Sequence, residues 1–455
     1  MKKNLQRIFI SSLILLTNYI YLNAQSISAG GNHSHAICFS DSLISWGNNN
    51  FGQFGDGTNT PSSTPIRNTQ LSNIASINSG FGHVLVVKSD STLWTFGSND
   101  QGQLGDGTNN NSLLPIQITS LSGIKSASGG TWHSLALKYD STVWAWGDNG
   151  WGELGNNSTT GSLIPVQASN LDNVIAISAG NYHSLALRND STVWAWGYAY
   201  GNGALTALSI PTQISLSGIV AISGGNTFSL ALKSDGTVWS WGSNNEGELG
   251  DGTTTNTPSP VQVINLTDII AISAGVYHSL ALKRDSTVWA WGFNMDGELG
   301  IGNNVDQHSP VQITTLTNAS TISAGQNHSL VSKNDGTLWA FGLNSYGQLG
   351  NGTTNSSSLP IQVMTNCLVR TTDLENIDNN IDFTIYPNPV TEGKLNVLCS
   401  AIPNKILVTD IVGKMIFNTV TDKNEIQLEF PKRGIYFISV QIHQKTFTRK
   451  IIVTQ

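Results

Sequence analysis

The chain has 455 residues, only 11% of them charged, with 22 Lys and Arg against 29 Asp and Glu. Soluble domains typically contain about 25% charged residues, so Ser, Thr, Asn and 46 Gly must supply most of the polar surface. A hydrophobic content of 39% with 13 Trp excludes intrinsic disorder, the acidic balance excludes a basic nucleic-acid footprint, and three Cys exclude a disulfide-rich scaffold.

The first 24 residues have the pattern of a signal peptide. Three basic residues precede an apolar stretch at 8–21, and Ala24 offers a small residue for cleavage. The alternative, a membrane anchor, is weaker because Ser, Thr and Asn interrupt a stretch shorter than the ~20 residues of a spanning helix. No later segment reaches ~18 uninterrupted apolar residues, so we expect no transmembrane segment in the mature chain.

Residues 25–370 contain seven copies of one unit. A Trp-Gly or Phe-Gly pair recurs every 50 residues, with a single interval of 45 before the fifth copy. The glycines of these pairs are Gly47, Gly97, Gly147, Gly197, Gly242, Gly292 and Gly342. The residue 14 positions earlier is His in six copies and Phe228 in the fifth. Such self-similarity at a fixed period indicates a repeat architecture.

Each copy predicts four short strands and no helix. In the sixth copy we expect strands at 260–263, 269–273, 278–282 and 287–291, where short apolar or alternating runs are separated by turn residues. Four strands in about 50 residues favour the blade of a β-propeller. The alternative is a β-solenoid, whose coils usually repeat at shorter periods.

The two ends of the repeat region complement each other. Residues 27–30 match 322–325, so the first copy begins in the middle of a unit, and the last copy ends near 369. We predict that strands from both ends share one blade, which closes the ring and removes exposed strand edges. The same closure brings Cys38 and Cys367 to one blade, and the sequence leaves open whether they form a disulfide.

The repeated pattern resembles the regulator of chromosome condensation repeat family. Ala-Gly-x-x-His-Ser-Leu-Ala-Leu and Val-Trp-Ala-Trp-Gly are clear at 179–187 and 193–197, and Gly-Glu-Leu-Gly at 297–300. The resemblance covers about 27–370 and implies a seven-bladed propeller. The fourth copy departs from the pattern, because it lacks five residues and the Gly-x-Leu-Gly run.

The best-known activity of that family, nucleotide exchange on a nuclear GTPase, is not expected here. An exported protein meets no such GTPase, and 10 basic against 20 acidic residues over 26–370 give a net charge of −10 that repels phosphate backbones. The regular spacing also leaves no room for the long inserted wedge that the family uses for exchange.

The C-terminal residues form a different unit. Residues 371–380 read as a polar, acidic linker, and 381–455 as a small immunoglobulin-like β-sandwich. Its strands are expected at 383–386, 394–398, 406–410, 414–418, 426–429, 435–441 and 445–453. The fold class predicted for the whole chain is therefore all-β, with a seven-bladed β-propeller followed by this sandwich.

The order of motifs in 375–455 resembles the Por (type IX) secretion C-terminal sorting domain. Tyr-Pro-Asn-Pro-Val begins at Tyr386, Gly-Ile-Tyr at Gly434, and Lys-Ile-Ile-Val at Lys450. The resemblance implies a Gram-negative bacterium, passage through the periplasm, the outer-membrane secretion machinery as a partner, and a secreted or cell-surface location. The alternative is an ordinary accessory sandwich.

The repeated polar residues favour structural roles. One His per blade, always before Ser-Leu-Ala-Leu or a similar run, suits a framework hydrogen bond better than a shared metal site. Gly-Asp-Gly at 55–57, 105–107 and 250–252 suits turns better than calcium loops, because other copies lack the carboxylate. No catalytic, cofactor or metal-binding motif is present, so we predict no catalytic residues, no cofactor and no metal.

Positions at which the copies disagree are candidates for binding. Large aromatic residues occur in the loops before the His position and around the Gly-x-Leu-Gly run, where they suit recognition of a partner or a sugar. The candidate partner-binding residues are Phe81, Trp132, Tyr182, Tyr277, Trp151, Tyr198, Tyr200 and Tyr346. Loop packing without a ligand is the alternative interpretation of these residues.

The predicted function is binding by an exported propeller, which presents its loop face to an unknown protein or glycan and no nucleic acid. Two alternatives remain: a secreted polysaccharide-active enzyme, disfavoured by the lack of a paired-carboxylate or nucleophile constellation, and a structural adhesin without a discrete pocket.

Overall fold

The computed structural model describes residues 27–38, 42–198, 201 and 203–365 and, in the C-terminal region, 383–386, 394–399, 403, 405–410, 414–419, 423, 425–430, 432, 434–442 and 445–453. The predicted signal peptide and linker lie outside these residues. The chain divides into two compact units, Met1–Thr372 and Asp373–Gln455. The described part of the chain is all-β, and no helix within it has the length and apolarity to cross a membrane.

The first unit contains seven four-stranded antiparallel sheets, which we call blades 1 to 7. Blade 1 contains β1 (Ile27–Ala29), β2 (His33–Ile37), β3 (Leu43–Gly47) and β4 (Ser62–Arg67). Blade 2 contains β5 (Ile74–Ser79), β6 (His83–Lys88), β7 (Leu93–Gly97) and β8 (Ser112–Gln117). Blade 3 contains β9 (Ile124–Gly129), β10 (His133–Lys138), β11 (Val143–Gly147) and β12 (Ser162–Gln167).

The other four blades repeat this arrangement. Blade 4 contains β13 (Val174–Ala179), β14 (His183–Arg188), β15 (Val193–Gly197) and β16 (Leu208–Gln213). Blade 5 contains β17 (Ile219–Gly224), β18 (Phe228–Lys233), β19 (Val238–Gly242) and β20 (Thr257–Gln262). Blade 6 contains β21 (Ile269–Ala274), β22 (His278–Lys283), β23 (Val288–Gly292) and β24 (Gln307–Gln312). Blade 7 contains β25 (Ala319–Ala324), β26 (His328–Lys333), β27 (Leu338–Gly342) and β28 (Ser357–Gln362).

The blades form a closed ring. The first strands of successive blades contact one another, and β25 contacts β1, so these strands surround the axis and the fourth strands lie at the rim. A backbone hydrogen bond joins each blade to the next near the axis, and the one from Gln326 N to Gly30 O, at 3.1 Å, links blade 7 to blade 1. The predicted seven-bladed propeller is confirmed.

The predicted way of closing the ring is wrong. Each described blade consists of one contiguous segment, and the strand at 260–263, expected to begin the sixth unit, instead completes blade 5 as β20. The long loop after each Trp-Gly pair returns the chain to the same sheet, as in blade 6, where Trp289 faces Gln312. Blades 1 and 7 are therefore both complete, and they close the ring through contacts between blades.

Prolines protect the outer edges of the blades. Each fourth strand contains a proline two residues before its final residue: Pro65, Pro115, Pro165, Pro211, Pro260, Pro310 and Pro360. Proline lacks the backbone N–H that a further strand would need, so it is found at sheet edges and discourages edge-to-edge pairing. The proline in the fourth strand therefore protects the exposed outer edge of each of the seven blades.

The repeated His residues connect neighbouring blades. Their Nε2 atoms lie 2.8–3.0 Å from Ser Oγ atoms one blade further on. The pairs are His83–Ser134, His133–Ser184, His183–Ser229, His278–Ser329 and His328–Ser34. The predicted framework role of these His residues is confirmed. His33 differs, because Val84 stands where its Ser partner would be, and neither of its ring nitrogens has a partner within the described chain.

Cys38, directly after β2, is buried and disulfide-bonded. It belongs to the same apolar cluster as Val363 in the last blade's region. Cys367, its predicted partner, lies outside the described residues, so that pairing stays a prediction.

The second unit contains two antiparallel sheets. One has the order β29 (Phe383–Tyr386), β30 (Lys394–Cys399), β33 (Glu425–Glu429), and the other β32 (Met415–Thr419), β31 (Lys405–Asp410), β34 (Gly434–Ile442), β35 (Lys445–Val453). Leu395 and Val397 of the first sheet share a buried cluster with Ile438 and Val440 of the second. The seven strands and the small sandwich match the prediction.

Candidate functional site

Two faces of the propeller differ in their loops. Successive strands of a blade run in opposite directions, so alternate connections lie at the same end. We call the face formed by connections between first and second strands and between third and fourth strands the variable face; in blade 3 these are residues 130–132 and 148–161. The opposite face is the turn face, which in blade 3 includes residues 139–142. All candidate aromatic residues that the structure describes lie on the variable face.

The Trp-Gly glycine joins the two connections of the variable face. Gly147 has a φ of +99° and marks a register shift between β11 and β12. A Cβ atom there would lie 2.3 Å from Trp132 O, which explains why the position is always Gly. The next residue, Asp148, then donates its backbone N–H to Trp132 O at 2.9 Å.

Every blade therefore presents a bonded pair of residues on the variable face. The donors, each following the Trp-Gly or Phe-Gly pair, bond the carbonyl of the residue before the His or Phe position. The pairs, in blade order, are Asn48–Asn32, Ser98–Gly82, Asp148–Trp132, Tyr198–Tyr182, Ser243–Thr227, Phe293–Tyr277 and Leu343–Asn327. The backbone is thus the same in each blade while the side chains differ, and blades 3, 4 and 6 carry the aromatic ones.

A buried asparagine supports the long loop that follows in six blades. In blade 3, Asn149 Oδ1 accepts the Leu154 N–H at 2.8 Å, and its Nδ2 donates to carbonyls of Ser158 and Thr160 at 3.0 Å. Equivalent asparagines are Asn49, Asn99, Asn244, Asn294 and Asn344. The shortened blade 4 has Ala199 at this position, outside the described residues. These asparagines were not predicted from the sequence, although their fixed place two residues after the glycine distinguishes them.

Four aromatic side chains form one cluster on blades 3 and 4. Trp132 and Tyr182 have ring centroids 5.9 Å apart, Tyr182 and Tyr198 6.2 Å, and Trp151 and Tyr198 4.7 Å, all in edge-to-face arrangements. Such pairs are favourable by about 0.5–1.5 kcal/mol beyond the area they bury. Trp132 and Trp151 nevertheless stay 41% and 47% exposed. We call Trp132, Trp151, Tyr182 and Tyr198 the aromatic cluster.

The remaining candidate residues lie apart from this cluster. Tyr277 pairs with Phe293, a residue that sequence analysis overlooked, at 6.1 Å in blade 6. Phe81 and Tyr346 are 40% and 42% exposed and have no ring contact with another aromatic side chain among the described residues. Tyr200 lies outside the described residues. The structure therefore unites four of the eight candidates.

Basic groups of the propeller are confined to one of its two faces, whereas carboxyl groups occur on both. The variable-face connections hold eleven acidic residues and no Lys or Arg. The acidic residues are Asp56, Asp100, Asp106, Asp148, Glu153, Glu246, Glu248, Asp251, Asp296, Glu298 and Asp306. All nine Lys and Arg in residues 27–365 lie at the turn face: Arg67, Lys88, Lys125, Lys138, Arg188, Lys233, Lys283, Arg284 and Lys333. Eight described Asp accompany them there, so the turn face is nearly balanced, whereas the variable face is strongly negative.

Three of the variable-face carboxyls are buried beneath it. Glu153, Glu248 and Glu298 are at most 2% exposed, and each accepts a hydrogen bond of 2.9 Å from the backbone N–H two residues earlier. Burial raises the pKa of these three groups to about 7, although backbone hydrogen bonds oppose the shift. Gln53, Gln103 and Gln348 occupy the same position in other blades with the same contact.

The turn face repeats one arrangement. In blade 7, Asp335 Oδ1 accepts hydrogen bonds from Thr337 N and Oγ1, the Trp339 Nε1–H donates to Thr337 Oγ1, and Lys333 Nζ lies 4.2 Å from the Trp339 ring centroid. Hydrogen bonding to Thr337 holds the pKa of Asp335 below its usual value. A Lys or Arg lies over the corresponding Trp in blades 2 to 5 as well.

The two tryptophans of each Val-Trp-Ala-Trp-Gly run have different roles. The second is fully buried between blades; Trp146 Nε1, for example, donates to Gln103 O at 2.8 Å. The first, such as Trp144, is only half-buried at the turn face. Only the second Trp therefore belongs to the core between blades. The Gly-Asp-Gly runs do form turns, as Asp56 Oδ1 accepts the Thr58 N–H at 2.9 Å.

Sequence comparison identifies two families along the chain. The RCC1-like domain matches residues 73–378, and the regulator of chromosome condensation (RCC1) repeat matches 24–53 and 40–87. The secretion system C-terminal sorting domain matches 384–454. The fold and these matches define a seven-bladed propeller that carries a sorting domain. The chain belongs to the RCC1-like domain family.

Solved structures show the same fold. Human WBSCR16 is 23% identical with a TM-score of 0.65, over 72% of this chain and 95% of that chain. Prp20p from Saccharomyces cerevisiae, described with its binding to Gsp1p and histones, is 22% identical with a TM-score of 0.66, over 80% and 89% of the two chains. No curated protein sequence matches the chain.

Proposed function

We propose that this protein is an exported binding propeller, which is directed across the outer membrane by its sorting domain and holds a protein or glycan partner on its variable face. The match of a secretion sorting domain at 384–454 supports export through the type IX machinery to the medium or the cell surface. The predicted signal peptide at 1–24 would supply the earlier step into the periplasm.

The aromatic cluster is the observation that carries the binding role. Its four rings occupy backbone positions that several other blades fill with small or polar residues, such as Asn32 and Ser98. The propeller does not need aromatic residues at these positions, because the same hydrogen bonds form without them. Exposed Trp and Tyr side chains that packing does not require are typical of binding hot spots.

The export step is tested by deleting residues 371–455. We expect the truncated propeller to accumulate in the periplasm, measured by immunoblotting of cell fractions. Appearance of the truncated protein outside the cell at the level of the full chain would contradict the role assigned to the sorting domain.

The binding step is tested with substitutions that introduce a residue found at the same position in other blades. Trp132→Asn and Tyr182→Asn introduce the Asn that blades 1 and 7 have at the equivalent position, as Asn32 and Asn327. We therefore expect both variants to fold. Binding of the purified full chain to intact cells and to glycan arrays should fall at least about tenfold, as truncating a hot spot costs ~2 kcal/mol or more. Unchanged binding would remove the cluster as the site, and turnover of a glycan would favour the enzyme alternative.

Exchange activity like that associated with the nuclear members of the family has no support on the variable face. Eight of its eleven acidic residues are not buried, and none of its connections contains Lys or Arg. A face of this charge repels nucleotides and nucleic acids.

A further inference from the structure

The connections of the variable face contain no Lys or Arg to pair with their carboxylates. Ion pairs within the described propeller join Lys138 to Asp140 and Arg188 to Asp172 and Asp190, all at the turn face. The carboxylates of the variable face lie on blades 1, 2, 3, 5 and 6, and they extend around most of the ring. A partner that neutralises them must therefore carry several cationic groups spread over a surface.

The aromatic cluster lies within this field of negative charge. Asp148 is bonded through its backbone to Trp132, and its carboxylate remains partly exposed with only backbone N–H groups of Asn149 and Gly150 as partners. The pKa of Tyr182 is above its ordinary value, mainly because of burial and further because of Tyr277, Asp148 and Glu153. The faces of aromatic rings attract cations, most strongly when a carboxylate is close.

On the turn face, basic side chains of this chain lie over tryptophan rings. There Lys333 lies 4.2 Å from the Trp339 centroid and Lys233 lies 4.5 Å from the Trp239 centroid. The connections of the variable face contain no Lys or Arg, so none of them places such a side chain over its rings. A cation for these rings therefore has to come from outside the connections of this face.

We propose that the variable face binds a basic protein segment, with a Lys or Arg side chain over the rings of Trp132 and Tyr182 and paired with Asp148. This inference rests on the proposed binding function and specifies the chemistry of the partner. The remaining carboxylates of the face attract further basic residues of the same segment. A neutral glycan would stack on the rings but would gain nothing from the surrounding charge.

A deca-lysine peptide is a suitable probe of this site. Its dissociation constant for the purified full chain is measured by fluorescence anisotropy at 20 and 300 mM NaCl. We expect binding at low salt, weakened about tenfold or more at high salt because the Debye length falls from about 20 to 6 Å. Deca-glutamate and cellohexaose serve as anionic and neutral probes that are labelled and measured separately, and both should bind more weakly than deca-lysine.

Matched substitutions locate the binding. Asp148→Asn reproduces Asn48 of blade 1, and Trp132→Asn reproduces Asn32, so neither should disturb the fold. Each should weaken deca-lysine binding about fivefold, as expected for loss of a partly desolvated cation–π or ion-pair contact. Asp268→Asn removes the same charge from the turn face and should change binding less than twofold.

Equal effects of Asp148→Asn and Asp268→Asn would overturn the inference, because binding would then reflect net charge alone. Stronger binding of cellohexaose than of deca-lysine, lost in Trp132→Asn, would also overturn it while leaving the binding function of the cluster intact. If Trp132→Asn affects neither these probes nor binding to intact cells, the proposed function itself fails.

Discussion

The two faces of the propeller are formed by the same 28 strands, yet their side chains follow different rules. On the turn face, the Asp–Thr turn recurs in blades 2 to 7, and a Lys or Arg lies over the neighbouring Trp in five of these blades. On the variable face the backbone contacts recur, while the side chains above them change from Gly82 to Trp132. Repetition of contacts down to the side chain indicates a structural role, whereas repetition of the backbone alone leaves side chains available for binding.

The comparison extends below the surface. The floor of the variable face contains Glu153, Glu248 and Glu298, and chemically similar Gln residues fill the same place in blades 1, 2 and 7. The exposed residues of this face vary freely, but this buried position holds only Glu or Gln in the six blades with the long loop. The division between structural and binding positions therefore follows burial as well as the face.

The largest expected effect comes from replacing all three buried carboxyls, Glu153→Gln, Glu248→Gln and Glu298→Gln. Their folded-state pKa of about 7 exceeds the ordinary 4.5, so the folded state holds protons that the unfolded state releases. Stability therefore falls as pH rises from about 4.5 through 7, by up to ~3 kcal/mol per group. In urea unfolding, the triple variant should be more stable than the natural chain at pH 8 and nearly equal to it at pH 4.5.

The control for this experiment is each single substitution, such as Glu153→Gln. Because the three groups lie in different blades, each single variant should remove about a third of the pH dependence. If the triple variant and the natural chain lose stability in parallel between pH 5 and 8, the buried carboxyls do not contribute as described.

The second effect concerns the blade that departs from the pattern of the turn face. In blade 1, Cys38 stands where other blades have Lys or Arg, and Ile44 stands where they have Trp. The disulfide of Cys38 should stabilise the propeller by about 2–4 kcal/mol, measured as the difference in urea unfolding between the natural chain and Cys38→Ser. Peptide mapping without reduction should link Cys38 to Cys367, and a link to Cys399 would contradict the predicted pairing.

The third effect compares two His residues that have the same place in neighbouring blades. His33→Phe removes two buried nitrogens without described partners and installs the residue found at Phe228, so unfolding should cost about 1–2 kcal/mol more. His83→Phe breaks a 2.8 Å bond to Ser134 and should cost about 1 kcal/mol of stability. Thermal unfolding should therefore show that His33→Phe stabilises the propeller and that His83→Phe destabilises it. Destabilisation by both variants would mean that His33 has a hydrogen-bond partner.

The smallest effect separates the faces directly. Asp335→Ala removes the acceptor of the Thr337 turn and should lower stability by less than ~1 kcal/mol, because the group is exposed. It should not change deca-lysine binding. Asp148→Asn should do the reverse, with unchanged stability and weaker binding. Loss of binding in Asp335→Ala would contradict the assignment of the partner site to the variable face.

Much of the fold follows from the sequence, because periodic residues report periodic contacts. The spacing of the Trp-Gly pairs predicts seven blades, and the constant place of His predicts a framework role, which the bonds to Ser confirm. The phase of the blades was not predictable in this way. A repeating pattern is unchanged when its starting point moves by one strand, so it does not reveal whether 260–263 begins one sheet or completes another.

The site was predicted in part. Trp132, Trp151, Tyr182 and Tyr198 were identified because their positions vary among the copies, but their assembly depends on contacts between blades 3 and 4. Asp148 and Phe293 were overlooked, although the position after each Trp-Gly pair varies just as much. Their importance becomes visible only through the backbone bonds to Trp132 and Tyr277.

The sequence by itself determined the number of repeats, their strands and the presence of a separate sorting domain, since these depend on local pattern and spacing. Only the tertiary structure decided which strands share a sheet, how the ring closes and which loops lie together. Antiparallel pairing places alternate connections on opposite faces, and this placement turns a dispersed set of charges into one acidic, aromatic surface and one balanced surface. Residues distant along the chain acquire a common role through that pairing.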